Sequence, residues 1–403
     1  MERCYEHILI GHFRTYRQTA FLSGPRQVGK TTTARVVARA LGDHAYFTWD
    51  RQTDRAVIVA GPDAVAEKMQ IHRLREAPPV CILDELHRYG KWKTFLKGLF
   101  DSHPGALRIL VTGSARLDVF KAGGDSLMGR YFPYRMHPLS VGELADPGRP
   151  VWEGPLPPQR IPGEALAALV RFGGFPEPFL RQEERFWRRW RRLRTQQLLR
   201  EDLRDLTHIR ELGQVEMLAE LIRRRVGQLV SHASLARAVN VSVDTIRRWT
   251  ATLERLYWCY SVRPWHRNVA RGLRKEPKYF LWDWSVVEDR GARMENLVAS
   301  ALLKAVHAWT DTGLGDFGLY FIRDKEKREV DFLVTREDTP WFLVEVKASG
   351  SARLSPPLAR FQEATGAPHA FQVAFDLDYV DRDCFEQTRP LIVPAATFLS
   401  QLP

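Results

Sequence analysis

The chain has 403 residues, 44% of them hydrophobic and 27% charged, which predicts a globular protein of two to four domains and excludes a largely disordered one. Its formal net charge of +12 favours a polyanionic partner such as nucleic acid. No stretch approaches the roughly 18 apolar residues that span a bilayer, and the N-terminus lacks a basic leader with a cleavage site, so we expect a cytoplasmic protein with no membrane partner.

The first predicted element is a strand, a glycine-rich loop and a helix, in the sequence AFLSGPRQVGKTTTARVVARAL. Gly24 is followed by four residues and then by Gly29-Lys30-Thr31, the spacing of a phosphate-binding loop. Backbone N–H groups of such a loop close around phosphates, the lysine reaches the β- and γ-phosphates, and the threonine hydroxyl can ligate Mg²⁺. We therefore expect ATP and Mg²⁺ as cofactors, bound by Gly24, Gly29, Lys30, Thr31 and Thr32.

A second apolar strand, in PPVCILDELHR, ends in Asp84-Glu85. This pattern predicts that Asp84 holds the Mg²⁺ ion together with Thr31 and that Glu85 activates the attacking water. An acidic pair after a strand also caps helices, but the preceding phosphate loop favours the nucleotide interpretation. A third strand, in LRILVTGSARLDVF, ends near Ser114, which is either a sensor of the γ-phosphate or a serine that caps the next helix.

The loop, the Asp84-Glu85 pair, Ser114 and then Arg130 occur in the order of the AAA+ ATPase superfamily, which residues 1–140 resemble. The resemblance implies a parallel αβα sandwich with the nucleotide at the carboxyl ends of the strands. It also implies that Arg130 acts on the nucleotide of a neighbouring subunit, within a homo-oligomeric and often hexameric ring. The alternative is that Arg130 is a surface or structural arginine.

Proline and glycine cluster between Pro147 and Gly163, which indicates a boundary, and residues 141–212 are expected to form a helical lid with a basic helix. That helix, RQEERFWRRWRRLRTQQLLR, has Trp187 and Trp190 on one face. Either its arginines grip a phosphate backbone, or the tryptophans belong to the core and the arginine stems cover apolar surface.

Residues 213–283 have the spacing of a winged helix-turn-helix. A helix with Leu235 and Val239 is followed by a turn at Asn240 and by a helix capped by Ser242. The groove-facing side chains of that second helix are predicted to be Thr245, Arg247, Arg248 and Thr252. Two strands flank a basic tip that carries Arg267, Arg271, Arg274, Lys275 and Lys278. We expect this module to bind DNA, and the alternative is a protein-binding winged helix.

Residues 284–403 begin with a helix that carries Glu295 and continue with the hairpin EVDFLVTREDTPWFLVEVKAS. Side chains two apart on a strand share a face, so Glu329 lies beside Asp331, and Glu345 lies beside Lys347. This face is either solvated or a metal site.

The order of these groups resembles the PD-(D/E)XK nuclease fold, although the first strand lacks the proline of that family. The resemblance implies that Asp331 and Glu345 hold Mg²⁺, that Lys347 orients the water, and that Glu295 completes the metal site or helps a second ion. The alternative is a nuclease-like fold that is used only for binding. The fold class expected for the chain is α/β: an AAA+ sandwich with a helical lid, a winged helix and a restriction-endonuclease-like domain.

The whole chain resembles a prokaryotic ATPase family whose C-terminal region has unknown function. The function expected is that of a DNA-dependent ATPase, working as a ring-forming motor on duplex or branched DNA with a nuclease-like domain. The alternatives are an ATP-gated switch that binds a protein partner, and a defence effector nuclease.

Overall fold

The computed structural model describes residues 1–113, 127–150, 153–203, 211–266, 275–351 and 353–403. The chain forms two compact units, Met1–His137 and Pro138–Pro403. Four predicted site residues lie outside the described residues: Ser114, Arg267, Arg271 and Arg274. No helix in the described ranges is both long and apolar enough to cross a membrane.

The first unit alternates strands with helices, as a parallel sheet requires. Its elements are α1 (Cys4–Thr15), β1 (Thr19–Ser23), α2 (Lys30–Leu41), β2 (His44–Thr48), α3 (Gln52–Ala60), α4 (Pro62–Lys68), β3 (Val80–Asp84), α5 (Trp92–Ser102), β4 (Arg108–Gly113) and β5 (Tyr131–Arg135). A 3₁₀ turn, Leu86–Arg88, follows β3 almost directly.

These five strands form one parallel sheet in the order β2-β3-β4-β1-β5. Strands β1 and β3 are buried along their whole length, which is why they read as unbroken apolar runs. Because β4 lies between them, the phosphate loop, Asp84 and Thr112 all lie at the same edge of the sheet. The predicted parallel α/β core is confirmed.

The second unit begins with helices, several of which start at a serine. Its first elements are α6 (Val141–Ala145), α7 (Gly163–Phe172), α8 (Pro176–Arg181), α9 (Glu184–Gln196), the π-helical Gln197–Asp202, α10 (Leu212–Arg224), α11 (His232–Val239) and α12 (Val243–Arg255). Ser140, Ser231 and Ser242 each accept a hydrogen bond from the backbone N–H three residues further on, which fixes where α6, α11 and α12 begin.

The rest of this unit is a mixed sheet covered by a long helix. Its elements are β6 (Cys259–Pro264), β7 (Lys278–Leu281), the 3₁₀ turn Trp284–Val286, α13 (Arg290–Asp311), β8 (Phe317–Arg323), β9 (Glu329–Arg336), β10 (Thr339–Lys347), α14 (Pro356–Thr365), β11 (His369–Ala374), the 3₁₀ turn Cys384–Glu386, β12 (Leu391–Pro394) and α15 (Ala395–Ser400). The strand order is β12-β11-β10-β9-β8-β6-β7. Strand β9 runs antiparallel to both β8 and β10, and β11 runs parallel to β10.

The two strands that flank the predicted wing belong to this same sheet. Strand β6 pairs with β7 antiparallel and with β8 parallel, through Arg263↔Tyr320 and Pro264↔Phe321. The sequence led us to expect a wing separate from the C-terminal domain, with a boundary between residues 283 and 284. The sheet contains strands from both sides of that boundary, and pairing with β8 satisfies the backbone groups that a free edge of β6 would expose.

Candidate functional site

The phosphate loop depends on two glycines in left-handed conformations. Gly24 has φ +152°, and a Cβ there would overlap the carbonyl oxygen of Met136. Gly29 has φ +108° at the point where α2 begins. Arg3, which is buried, braces the loop by donating to the carbonyl oxygen of Val28 at 2.7 Å. A side chain at either glycine would therefore distort the loop.

Lys30 lies inside the loop that precedes it. Its ammonium donates to the carbonyl oxygens of Gly24 at 2.8 Å and Pro25 at 2.6 Å, and the residue is 7% exposed. Burial lowers the pKa of Lys30 to about 8, although Glu85 and Asp84 act in the opposite direction. The cation is thus placed where bound phosphates would supply charged acceptors.

Three hydroxyl groups converge on the buried carboxylate of Asp84. Thr31 donates to Oδ2 at 3.1 Å, Tyr46 donates to the same oxygen at 2.5 Å, and Thr112 donates to Oδ1. Burial is the larger cause, and the hydrogen bond to Asp84 is the second, of a rise in the pKa of Tyr46 to about 12. Hard oxygen donors from Thr31 and Asp84 lie side by side and fit the ligand preference of Mg²⁺. Sequence reasoning missed Tyr46 and Thr112, which reach Asp84 from the flanking strands β2 and β4.

Glu85 follows Asp84 in a left-handed conformation, with φ +54°. Its carboxylate oxygen lies 3.5 Å from Nε2 of His87, and its side chain is 23% exposed. Burial raises the pKa of Glu85, while Lys30 lowers it. A carboxylate with a raised pKa accepts a proton more readily, so this environment suits the predicted role of Glu85 as a base for water.

Arg130 lies just before β5 and is held by Asp101 on α5. Its Nε and Nη2 donate to the two carboxylate oxygens at 2.9 and 3.0 Å, and its side chain is 27% exposed. The bond from Arg130 holds the pKa of Asp101 below its usual range. Arg130 is therefore a partly exposed arginine with a partner in its own unit, and its action on a neighbouring subunit remains a prediction.

The two helices and the turn predicted for the helix-turn-helix are present as α11 and α12. Asn240 takes the left-handed conformation, φ +59°, that ends α11. The hydrophobic residues of both helices are buried: Leu235, Val239, Ile246, Trp249 and Leu253.

The outward face of α12 carries three of the predicted DNA contacts. Arg247 and Arg248 are exposed, and Thr245 is half-buried. Thr252 was predicted to face outward, but it is 9% exposed and donates to the carbonyl oxygen of Arg248 at 3.0 Å, because a buried hydroxyl needs a partner and its own helix supplies one. Lys275 is exposed.

The basic helix α9 has a buried tryptophan face. Trp187 and Trp190 are buried, and Nε1 of Trp187 donates to Ser285 at 3.0 Å. The tryptophans are therefore core residues, while Arg185, Arg189 and Arg192 are exposed on the other side.

The structure brings together the acidic and basic groups predicted for the C-terminal site. Asp331 on β9 accepts a hydrogen bond at 2.8 Å from the backbone N–H of Val346, which lies between Glu345 and Lys347 on β10. Lys347 donates to Glu345 at 2.8 Å. Glu295 approaches from α13, and its carboxylate presses against Gly227, where a Cβ would lie 2.8 Å from Oε2.

Lys278 is the residue of this cluster that the sequence did not indicate. It was predicted to lie at the basic tip of the wing, but it is 3% exposed. Its backbone pairs with Val262 of β6 on one side and forms a bridge to Leu229 on the other, so segments flank it on both sides. Its Nζ lies 2.6 Å from Glu329, 3.5 Å from Glu295 and 3.9 Å from Asp331. Burial alone would lower the pKa of Lys278, but these three carboxylates outweigh it and raise the pKa.

Burial and mutual repulsion make the carboxylates of this cluster harder to ionise. Burial is the largest cause, and repulsion by the charge of Asp331 is the second. Together they raise the pKa of Glu295 to about 8 and the pKa of Glu345 to about 6. Burial also raises the pKa of Asp331, which Lys278 opposes. Oε1 of Glu295 and Oε2 of Glu345 are buried without a hydrogen bond.

A metal ion fits this cluster by the chemistry of its donors but not by their present spacing. Carboxylate oxygens suit Mg²⁺, and the buried Oε2 of Glu345 lacks a hydrogen bond, whereas Oε1 of Glu295 lies 3.5 Å from the ammonium of Lys278. Within the described ranges, however, no three His, Cys, Asp or Glu side chains lie close enough together to hold one ion. The ammonium of Lys278 lies among the carboxylates of Glu295, Glu329 and Asp331.

The first unit combines a five-stranded parallel sheet with a phosphate loop. Residues 16–145 match a family model described as an AAA domain. Residues 163–289 and 290–386 match two further models, each described as a domain of unknown function (DUF8612 and DUF4143). The chain therefore joins an AAA-type ATPase domain to C-terminal domains of unknown function.

The chain resembles two curated relatives and, among solved structures, a Walker-type ATPase and a DnaA. Uncharacterized proteins of Mycobacterium tuberculosis and Mycobacterium bovis are each 24% identical over 349 residues, which cover 83% of this chain and 71% of the relative. The Walker-type ATPase of Pyrococcus abyssi is 16% identical, with a TM-score of 0.44, over 72% of this chain and 94% of that one. AMPPCP-bound DnaA from Aquifex aeolicus is 12% identical, with a TM-score of 0.31, over 62% of this chain and 86% of that one.

Proposed function

We propose that this protein is a DNA-dependent ATPase that works as a ring-forming motor on duplex or branched DNA. The observation that carries the proposal is the combination, in one chain, of a phosphate loop with an Asp84-Glu85 pair and a helix-turn-helix whose second helix turns Arg247 and Arg248 into solvent. ATP hydrolysis would supply the free energy for movement, and the outward arginines would supply the contact with DNA.

The residues of the ATPase domain divide the work of hydrolysis. Lys30 and the backbone N–H groups of its loop bind the phosphates of ATP. Thr31 and Asp84 would hold Mg²⁺, which supplies positive charge beside the β- and γ-phosphates. Glu85 takes a proton from the attacking water, for which its raised pKa suits it.

The outward face of α12 suits a phosphate backbone. Arg247 is paired with Asp244 at 3.0 Å and Arg248 donates to Thr245 at 3.3 Å, both on the exposed surface of the same helix. Exposed pairs of this kind are weak, so the guanidinium groups can exchange these partners for phosphates. The net charge of +12 supports the same kind of partner.

The ring depends on Arg130. To act on a neighbouring nucleotide, its guanidinium must leave Asp101, and that exchange is feasible because the pair is partly exposed. We expect Arg130→Ala to bind ATP but not to hydrolyse it, and mixing it with Glu85→Gln subunits should restore some turnover. A protein that stays monomeric in sedimentation with ATP would contradict the ring.

DNA binding measured over a range of salt concentrations tests the outward arginines. Replacing Arg247 and Arg248 by alanine should weaken binding and reduce the salt slope by about 2, since each lost phosphate contact removes about 0.9. Lys325→Ala with Arg360→Ala removes the same charge from exposed positions elsewhere and should leave the slope unchanged. An unchanged slope in the Arg247 and Arg248 variant would instead favour an ATP-gated switch with a protein partner.

A second candidate function, metal-dependent cleavage of DNA, is favoured by the convergence of Asp331, Glu345, Lys347 and Glu295. Asp331 and Glu345 would hold an ion that polarises the scissile phosphate, Glu295 would complete its shell, and Lys347 would orient the water. Alanine at Asp331, Glu345 or Lys347 should abolish cutting and leave ATP turnover intact. Absence of cutting by the wild type on single-stranded, duplex and four-way DNA, with Mn²⁺ in excess, would contradict this candidate.

A further inference from the structure

A buried lysine lies among the carboxylates of the C-terminal site. Lys278 is 3% exposed, and its ammonium is within 3.9 Å of Glu329, Glu295 and Asp331. A buried ammonium is stable only when anions surround it, so this placement is a built feature of the cluster.

The main chain holds Lys278 in this position. Its strand pairs with β6 at Val262 and makes a bridge to Leu229, in the segment that leads into α11. On either side of that bridge, Gly227 donates to the carbonyl oxygen of Tyr279 at 3.1 Å, and Val230 donates to that of Pro277 at 3.0 Å. These hydrogen bonds fix the backbone of Lys278, and its side chain therefore extends from a fixed position to the carboxylates.

The charges of the cluster are already close to balance. Four carboxylates, those of Glu295, Glu329, Asp331 and Glu345, face three cations. These cations are Lys278, Lys347 and Arg323, which donates to Glu329 at 2.8 Å. A divalent ion added to this set would give it an excess of positive charge, which is costly beside the buried ammonium of Lys278.

The ammonium and a metal ion would also compete for the same oxygens. Mg²⁺ lies about 2 Å from its ligands, so an ion on Asp331 and Glu295 would be an immediate neighbour of the Lys278 ammonium. One cation weakens the binding of the other through direct repulsion.

We propose that Lys278 is a resident cation of the C-terminal site, which competes with divalent metal for Asp331 and Glu295. The proposal deepens the second candidate function and rests on its assignment of these carboxylates as metal ligands. It makes Lys278 a positioning residue that sets how readily the site takes a metal ion. Nuclease activity would then require a higher metal concentration in the wild type than in a variant without this charge.

Mn²⁺ binding to the full chain without nucleotide, measured by electron paramagnetic resonance and calorimetry, tests the proposal. Lys278→Met keeps the length of the side chain and removes its charge, and it should bind Mn²⁺ at least about tenfold more tightly than the wild type. Adding Asp331→Asn should remove the gain, which assigns the ion to this cluster. Lys325→Met, at an exposed position outside the cluster, should bind as the wild type does.

A second variant keeps the test decisive if Lys278→Met folds poorly. Lys278→Met with Glu329→Gln removes the closest anion as well, and Mn²⁺ should raise its unfolding temperature more than that of the wild type. Equal Mn²⁺ affinity in wild type and both variants, with normal circular dichroism, would overturn the proposal. Because binding is measured without DNA, failure to cut DNA would count against cleavage only, and equal Mn²⁺ affinity would count against the resident cation only.

Discussion

Lys304 on α13 and Glu143 on α6 form an ion pair that solvent does not reach. The ammonium lies 2.7 Å from Oε2 of Glu143 and donates to the hydroxyl of Ser140 at 2.7 Å. The two side chains are 1% and 0% exposed. Lys304→Met removes this buried ion pair and the hydrogen bond to Ser140, so it should lower the free energy of unfolding of the second unit by about 3–5 kcal/mol.

Urea and thermal unfolding of the full chain, followed by circular dichroism, measure this loss. Lys325→Met removes the same charge from an exposed position and should be nearly neutral. Lys304→Met combined with Glu143→Leu replaces the whole pair by apolar groups and should recover most of the lost stability. If the double variant were less stable than Lys304→Met alone, the reasoning about the buried ion pair of Lys304 and Glu143 would be refuted.

Three further predictions concern separate parts of the chain. The pKa of Lys30 is lowered to about 8, so its ammonium group loses a proton as the pH rises above that value. ATP affinity, measured by nucleotide fluorescence, should then fall by up to about tenfold per pH unit. An affinity that stays constant to pH 9.5 would contradict this. Gly227→Ala should lower the unfolding temperature more than Gly366→Ala, because both have similar left-handed φ values but only Gly227 faces a carboxylate; equal losses would show that the contact is unimportant. Asp101→Asn removes the ion pair with Arg130 and should change thermal unfolding little and leave ATP turnover intact. A turnover as low as that of Arg130→Ala would mean that Arg130 needs the ion pair with Asp101 in order to act.

The phosphate loop could be predicted because its signal is local. The spacing from Gly24 to Lys30 fixes a turn and the start of a helix within a few residues, and apolar runs before it and before Asp84 indicate buried parallel strands. The packing faces of α11 and α12 follow from helical periodicity in the same way, except at Thr252, whose hydroxyl bonds to its own helix. Local patterns of this kind require no knowledge of distant residues.

The features that the sequence did not indicate depend on pairing between distant segments. Tyr46 and Thr112 reach Asp84 only because β2 and β4 flank β3. Lys278 looks like one more cation of a basic loop, and its burial follows from the pairing of β7 with β6 and the bridge to Leu229. Lys304 and Glu143 are 161 residues apart in the chain. Periodicity carries no information about such contacts.

Steady-state ATP turnover with and without duplex DNA tests the proposed function most directly. We predict that DNA raises the turnover of the wild type several-fold at low salt, that the rise disappears when Arg247 and Arg248 are replaced by alanine, and that Glu85→Gln binds ATP without turning it over in either condition. Turnover that is the same with and without single-stranded, duplex and four-way DNA would contradict the claim that this protein is a DNA-dependent ATPase.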